Sequence, residues 1–319
     1  MKILVAGASG ALGRQLVPRL VAAGHEVTGT TRRDSRAGAI RELGATPAVL
    51  DALDASQVER VVAEAEPEVI VHELTSLSGP FQTRHIDRFF ATTNRLRTEA
   101  TEHLLAAGRA VGTRRFVAQS WAGWSPVRAG SRVKTEEDLF DPSPPAAVRP
   151  IFDSLRRLER TLADADWVEH VVLRYGALYG PDTSLGPDGE ETEIVRARRF
   201  PVVGDGSGVW SFLHVGDAAD ATVLAVDKGH GVYNIVDDEP APVAQWLPAL
   251  AAAIGAKPPW RVPRWVGRLM AGEAAVIMMT ESAGASNEKA KRELGWSPAH
   301  PSWRQGFAEV LRPRPGGMA

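Results

Sequence analysis

A chain of 319 residues, 44% hydrophobic and 24% charged, is long enough for one large domain or two interlocked ones, and its composition is that of a globular protein. A formal net charge of −2 predicts no general attraction to nucleic acid or to an anionic membrane. With no cysteine, disulfides, thiolate catalysis and cysteine-based metal sites are excluded.

The N-terminal "MKILVAGASG" runs from a short apolar strand (2–7) straight into a glycine turn, without the layout of a signal peptide. No apolar run reaches membrane-spanning length, so cytoplasm is the expected location. "ALGRQLVPRLVAAG" (11–24) has helical spacing, "HEVTGTTR" (25–32) is the next strand and "SRAGAIRELG" the next helix. "TPAVLD" (46–51), "SQVERVVAEA" (56–65) and "EVIVHEL" (68–74) repeat the cycle, followed by a long helix around 86–107 and the strand "RRFVAQS" (114–120). Strands and helices alternating at this spacing imply a mostly parallel sheet covered on both faces. Residues 149–162 read as an amphipathic helix with Ile151, Leu155, Leu158 and Leu162 on one face. After residue 175 the rhythm loosens; the last third is helical and rich in Trp and Pro, with the Trp residues expected as core and interface anchors, and "RPRPGGMA" closes as a mobile tail.

"GASGALG" sets Gly7, Gly10 and Gly13 between the first strand and the first helix. Glycines there let the backbone approach a pyrophosphate, and the helix N-terminus offers free N–H donors with a partial positive charge. In this strand–turn–helix context the motif predicts a dinucleotide site built from Gly7, Ser9, Gly10, Ala11, Leu12 and Gly13. The second strand ends in Thr31, Arg32 and Arg33, where an NAD-preferring site usually has an acidic residue. A guanidinium binds a 2′-phosphate that a carboxylate would repel, so NADP(H) is expected over NAD(H).

With these motifs the chain resembles the extended short-chain dehydrogenase/reductase family, the NAD-dependent epimerase/dehydratase group, over roughly residues 2–310. "LDALD" (50–54) resembles the family's acidic motif after the third strand, which implies adenine-side contacts from Asp51 and Ala52. "EVIVHELT" (68–75) resembles the strand ending in His-x-Ala, whose backbone, here at Leu74 and Thr75, lines the ribose and nicotinamide side. "RFVAQSWAGW" (115–124) is similar to the strand carrying the catalytic Ser or Thr, and "VLRYGALYGP" (172–181) to the segment closing over the nicotinamide, with Tyr175 in it. "VVGDGSGVWSFLHVGDAADA" (202–221), "GVYNIVDDEP" (231–240) and "ASNEKAKRELGWSP" (285–298) follow as C-terminal landmarks in order. The resemblance implies an α/β fold. A Rossmann-type doubly wound domain (1–175 plus about 212–236) would interlock with a smaller substrate domain (about 176–211 plus 237–319), and the strands near 212–215 and 232–236 would return to the main sheet. It also implies a homodimer paired through the helices around 86–107 and 149–162.

Family enzymes use a Tyr as general acid or base, a Lys four residues on, and a Ser or Thr on the substrate oxygen. Within "IFDSLRRLE", Ser154 and Glu159 stand at the family's offsets, which puts Ile151 at the Tyr position and Leu155 at the Lys position. Sliding by one residue gives Phe152 and Arg156, still without a hydroxyl, and the chain has only Tyr175, Tyr179 and Tyr233. The dyad is absent. Ser120 remains as a candidate hydrogen-bond donor to a carbonyl, against a strand-end role bonding local backbone. Tyr175 is a surrogate acid or a packing residue, and Asn94 resembles the family's helix-bending Asn. Lys134 and Glu136 read as a solvated charge run or as substrate-facing groups. His214 and Asp217 have no evident third ligand, so no metal site is expected.

The reading is therefore an atypical NADP(H)-dependent oxidoreductase acting on a small-molecule substrate, a ketoreductase first, with its proton drawn from water or substrate. The alternatives are a non-catalytic NADP(H)-binding sensor and, third, a sugar-nucleotide epimerase or dehydratase.

Overall fold

The computed structural model describes residues 1–77, 83–123 and 130–311; Trp124 of the substrate-strand motif and the tail 312–319 lie outside the described residues. Seven parallel strands form the central sheet: β1 (Lys2–Ala6), β2 (Glu26–Thr31), β3 (Thr46–Val49), β4 (Val69–His72), β5 (Arg115–Trp121), β6 (Glu169–Tyr175) and β7 (Gly231–Ile235). Their order is β7-β6-β5-β4-β1-β2-β3. Chain order reverses between β1 and β4, which makes the carboxyl ends of those two strands the switch point where ligands bind in open α/β sheets.

The central strands β1 and β4 are nearly continuous apolar runs because both faces are covered. On one face α1 (Ala11–Ala22) packs beside the helix 215–227, where Leu16 and Leu20 meet Ile3, Val5, Leu173 and Val215. The same face takes α2 (Ala37–Glu42) through Ile40, while on the other α3 (Ala55–Ala65) packs, where Val58, Val61 and Val62 meet Leu4, Ile70 and Phe116. Asp54 starts α3 by accepting from the Ser56 and Gln57 N–H groups. The expected long helix runs farther than 107 and is not uniform: α4 (Ile86–Arg95) passes through a π-helical turn at Leu96–Ala100 into α5 (Thr101–Val111). The turn begins two residues past Asn94, whose Oδ1 accepts from Ser154 Oγ at 2.9 Å. Ser154 lies in α6 (Arg149–Ala163), which packs against α4 and the π turn.

Of the two strands expected to rejoin the sheet, only β7 does. Phe212–His214 pairs in parallel with Ala177–Tyr179, in a separate ladder beyond the end of β6. The cause is the break at Gly176, where a Cβ would lie 2.8 Å from the Ser211 carbonyl oxygen; the chain bends there and carries its new partner off the main sheet. Helix α8 (Val215–Asp227) lies on the central sheet beside α1, whereas α7 (Glu190–Arg196), α9 (Val243–Ala253) and α10 (Arg264–Thr280) gather around Phe212, Trp246, Trp303 and Phe307. Trp246, Trp296 and Trp303 are wholly buried as expected of anchors, but Trp260 and Trp265 are 59% and 70% exposed.

One junction ties the two units together. Asp217, at the start of α8, accepts the Ala299 and His300 backbone N–H groups at 3.0 Å each, and Trp296 Nε1 donates to its carbonyl. His300 Nδ1 is 3.1 Å from the same carboxylate, and its ring lies 3.9 Å from that of His214.

Candidate active site

The glycine turn fits a dinucleotide pyrophosphate on its backbone geometry. Gly7 has φ +105°, and a Cβ there would stand 2.9 Å from the Glu73 carbonyl oxygen. At Gly13 a Cβ would come within 2.4 Å of the Gly7 oxygen, so no larger residue fits without opening the turn. Gly10 is the N-cap of α1 and offers no side-chain cap, and the first turn of α1 holds no acidic residue. Its N–H groups therefore face an anion with no competing carboxylate. The turn is tied to β2: Thr30 Oγ1 accepts from Gly7 N at 3.2 Å, and Ser9 Oγ donates to Thr31 Oγ1 at 3.3 Å.

Arg32 and Arg33 are exposed at the end of β2, and among the described residues neither forms an ion pair. Asp51 is exposed and closes a small turn by accepting from Leu53 N, while Ala52 is buried and its carbonyl meets His103 Nδ1. Leu74 N donates to His72 Nδ1, and Thr75 is exposed just beyond. These groups lie along the carboxyl edge of β1 to β4, around the turn.

Ile151 and Leu155 are 2% and 0% exposed. They sit in an apolar cluster with Ile86, Phe90, Phe152, Ala274 and Ala283, bordered by Trp121 and Met278. Helices α4 and α10 thus close on the face of α6 that carries Ile151 and Leu155. Ser120 is 1% exposed and its hydroxyl donates to Glu159 Oε1 at 2.9 Å. Arg174 grips the same carboxylate with two nitrogens, at 2.8 and 2.6 Å. In this arrangement the Ser120 hydroxyl faces α6 and donates to Glu159 rather than to local backbone. Tyr175 is 1% exposed, donates to Glu73 Oε1 at 3.1 Å and lies 2.6 Å from Thr222 Oγ1. Burial and the adjacent Glu73 raise its pKa well above the ordinary tyrosine value, the opposite of what a surrogate acid needs.

Sequence reasoning missed Glu73. It occupies the x of the His-x-Ala segment, is 6% exposed, and one of its oxygens, Oε2, is buried with no partner. Burial raises its pKa to about 8, with the Tyr175 hydrogen bond opposing, so Glu73 is largely a neutral acid at pH 7. Beside it His72 is pushed down to about 4 by burial, so it is neutral too. Lys134 and Glu136 are not a solvated run. Lys134 is 1% exposed and paired with Asp138, and Glu136 Oε1 accepts from Asn234 N at 2.7 Å.

The fold brings His300 to His214 and Asp217, a third candidate ligand that the sequence did not suggest, and ligand atoms of the three lie within 4.8 Å of one another. Both Asp217 oxygens already accept backbone N–H groups and His214 Nδ1 accepts from Gly216 N, so the cluster acts as the junction between the units.

A dinucleotide turn at the switch point of a seven-stranded parallel sheet, followed by the landmarks of an interlocked second unit, defines an extended dehydrogenase/reductase. A model of the NAD dependent epimerase/dehydratase family matches residues 3–236, and the chain belongs to that family. It is 43% identical to the 3-diazoavenalumate denitrifying reductase of a Streptomyces species, over 96% of this chain and 99% of that one. It is 27% identical to a 4-hydroxy-2-methyl-3-oxo-4-farnesyl-3,4-dihydroquinoline-1-oxide ketoreductase of Stigmatella aurantiaca, over 100% of this chain and 98% of that one. The fold is shared with the UDP-glucose 4-epimerase of Thermus thermophilus in complex with NAD, at TM-score 0.74 and 26% identity, with 98% of each chain covered. The protein is accordingly an oxidoreductase of this family with a nicotinamide dinucleotide as its cofactor.

Proposed function

We propose that this protein is an NADP(H)-dependent reductase whose hydride acceptor needs no proton from the enzyme. The observation that carries the reading is the apolar filling of the Tyr and Lys positions by Ile151 and Leu155. The hydroxyls of Ser120 and Tyr175 are spent on Glu159, Glu73 and Thr222. When bound, the nicotinamide supplies a hydride; the chain's own residues hold the dinucleotide at the turn, receive a 2′-phosphate at Arg32 and Arg33, and wall the reacting face with apolar side chains.

A carbon bearing a diazonium group suits such a wall. Its C–N bond breaks with the electron pair leaving in N₂, the incoming hydride supplies the pair of the new C–H bond, and no proton is consumed. Similarity to a relative named for a diazo compound and for denitrification supports this acceptor. The second reading is reduction of a ketone that brings its own proton from water or a neighbouring hydroxyl, supported by the similarity to a ketoreductase.

The test is cofactor oxidation with arenediazonium acids and with ketones, comparing NADPH and NADH and assaying N₂ release. Turnover with stoichiometric N₂ is expected, with an NADPH preference that falls about tenfold in the Arg32→Ala/Arg33→Ala variant. Preference for NADH overturns the cofactor assignment, and tight NADPH binding without turnover of either acceptor favours a sensor.

A further inference from the structure

Arg97 lies in the π turn, where the α4–α5 helix packs against α6. It is 6% exposed, its Nη1 is buried without a hydrogen-bond partner, and no carboxylate pairs with it among the described residues. Its guanidinium lies 5.9 Å from the centre of the Phe90 ring. Burial without a countercharge pushes its pKa down to about 10, so it remains a cation at neutral pH. An uncompensated buried charge is costly to a fold, and such a group beside a ligand edge is a candidate functional residue.

Its surroundings indicate what would pair with it. The Arg97 charge reaches His72, the last residue of β4, at the sheet's carboxyl edge. Phe90 belongs to the cluster that holds Ile151, Phe152 and Leu155. Arg97 therefore borders the same wall from which a lysine is missing, entering from the helix opposite. That wall is rich in rings: Phe89 lies against Phe90, and Trp121 against Phe152.

We propose that Arg97 is the anion-binding residue of the reaction cleft, taking the carboxylate of an aromatic acid substrate whose ring packs on the neighbouring aromatic side chains. This rests on the reductase reading above and narrows its substrate class. The relative's printed substrate, 3-diazoavenalumate, is itself named as an acid anion. A buried cation with no carboxylate partner among the described residues, beside a ring-lined wall, suits the carboxylate of an aromatic acid better than a neutral ketone.

The experiment uses cinnamate and its neutral analogue cinnamamide as probes, titrated calorimetrically into the full chain with and without reduced cofactor. Wild type is expected to bind cinnamate about tenfold tighter than cinnamamide. In Arg97→Met the two should bind equally while the melting temperature stays level or rises, because the variant removes a buried cation that has no partner in the free protein. Arg97→Lys should retain a weaker carboxylate preference. The inference is overturned if wild type shows no preference, if Arg97→Met keeps it, or if Arg97→Met fails to fold, which would make the guanidinium structural. Cofactor oxidation with the acceptors above is followed in parallel. Turnover with an unchanged carboxylate preference in Arg97→Met sinks this site and leaves the reductase. Carboxylate preference lost in Arg97→Met, with no oxidation by any acceptor, sinks the reductase and leaves the site.

Discussion

Glu73 and Glu159 are both carboxyl groups removed from water, and they are held in different ways. Glu159 is held by Arg174 and Ser120, the ion pair being 5% and 12% exposed. Glu159→Gln leaves Arg174 without its countercharge and should cost about 3–5 kcal/mol, read as a lower urea midpoint. Ser120→Ala should cost about 1 kcal/mol and leave the rate of hydride transfer unchanged once folded protein is compared. Glu73 has no cation and keeps its proton instead. Its folded pKa of about 8 stands above the ordinary 4.5, so the folded state binds more protons between those values. The stability it contributes is therefore full below about pH 4.5 and is lost as pH rises through about 8. Urea midpoints at pH 5, 6.5 and 8 should decline in wild type and decline less in Glu73→Gln; equal slopes would mean that Glu73 is already ionised in the folded protein. Neither role was visible in the chain as written. Spacing along the chain does not show which long side chains the neighbouring elements will cover.

At the scale of single elements, the turn between β1 and α1 was the most legible feature, because glycines at fixed spacing between a strand and a helix leave few other conformations. Gly13→Ala tests it directly. With a Cβ 2.4 Å from the Gly7 oxygen the turn must open, and nicotinamide dinucleotide affinity should fall by about tenfold or more. Wild-type affinity in this variant would show that the turn does not hold the pyrophosphate. The helix α6 was legible in position, read at residues 149–162 and found at Arg149–Ala163. What its apolar face touches was not legible, because α4 and α10 reach it from distant parts of the sequence. The π turn was hidden for a similar reason, as apolar spacing continues through it with only one extra residue in the turn.

At the scale of the molecule, the sheet class followed from the alternation of strands and helices, whereas the separate ladder of Phe212–His214 depended on the bend at Gly176. A homodimer through α4–α5 and α6 remains a proposal. The Arg157–Glu102 pair joins those helices on an exposed surface, and light scattering should give about twice the chain mass of 34.3 kDa. A single-chain mass would remove it.

The junction at Asp217 also sets an order of events during synthesis. The sheet has its last strand once residue 235 is made, and the family-matched region ends at residue 236. Yet among the described residues the Asp217 carboxylate, 2% exposed, takes its donors from Ala299 and His300. A nascent chain that has completed every strand of the central sheet still lacks those donors, so α8 should settle against the sheet only when the chain is nearly finished. Ribosome-bound chains stopped at residue 250 should remain open to protease within α8, and chains extended past residue 300 should not.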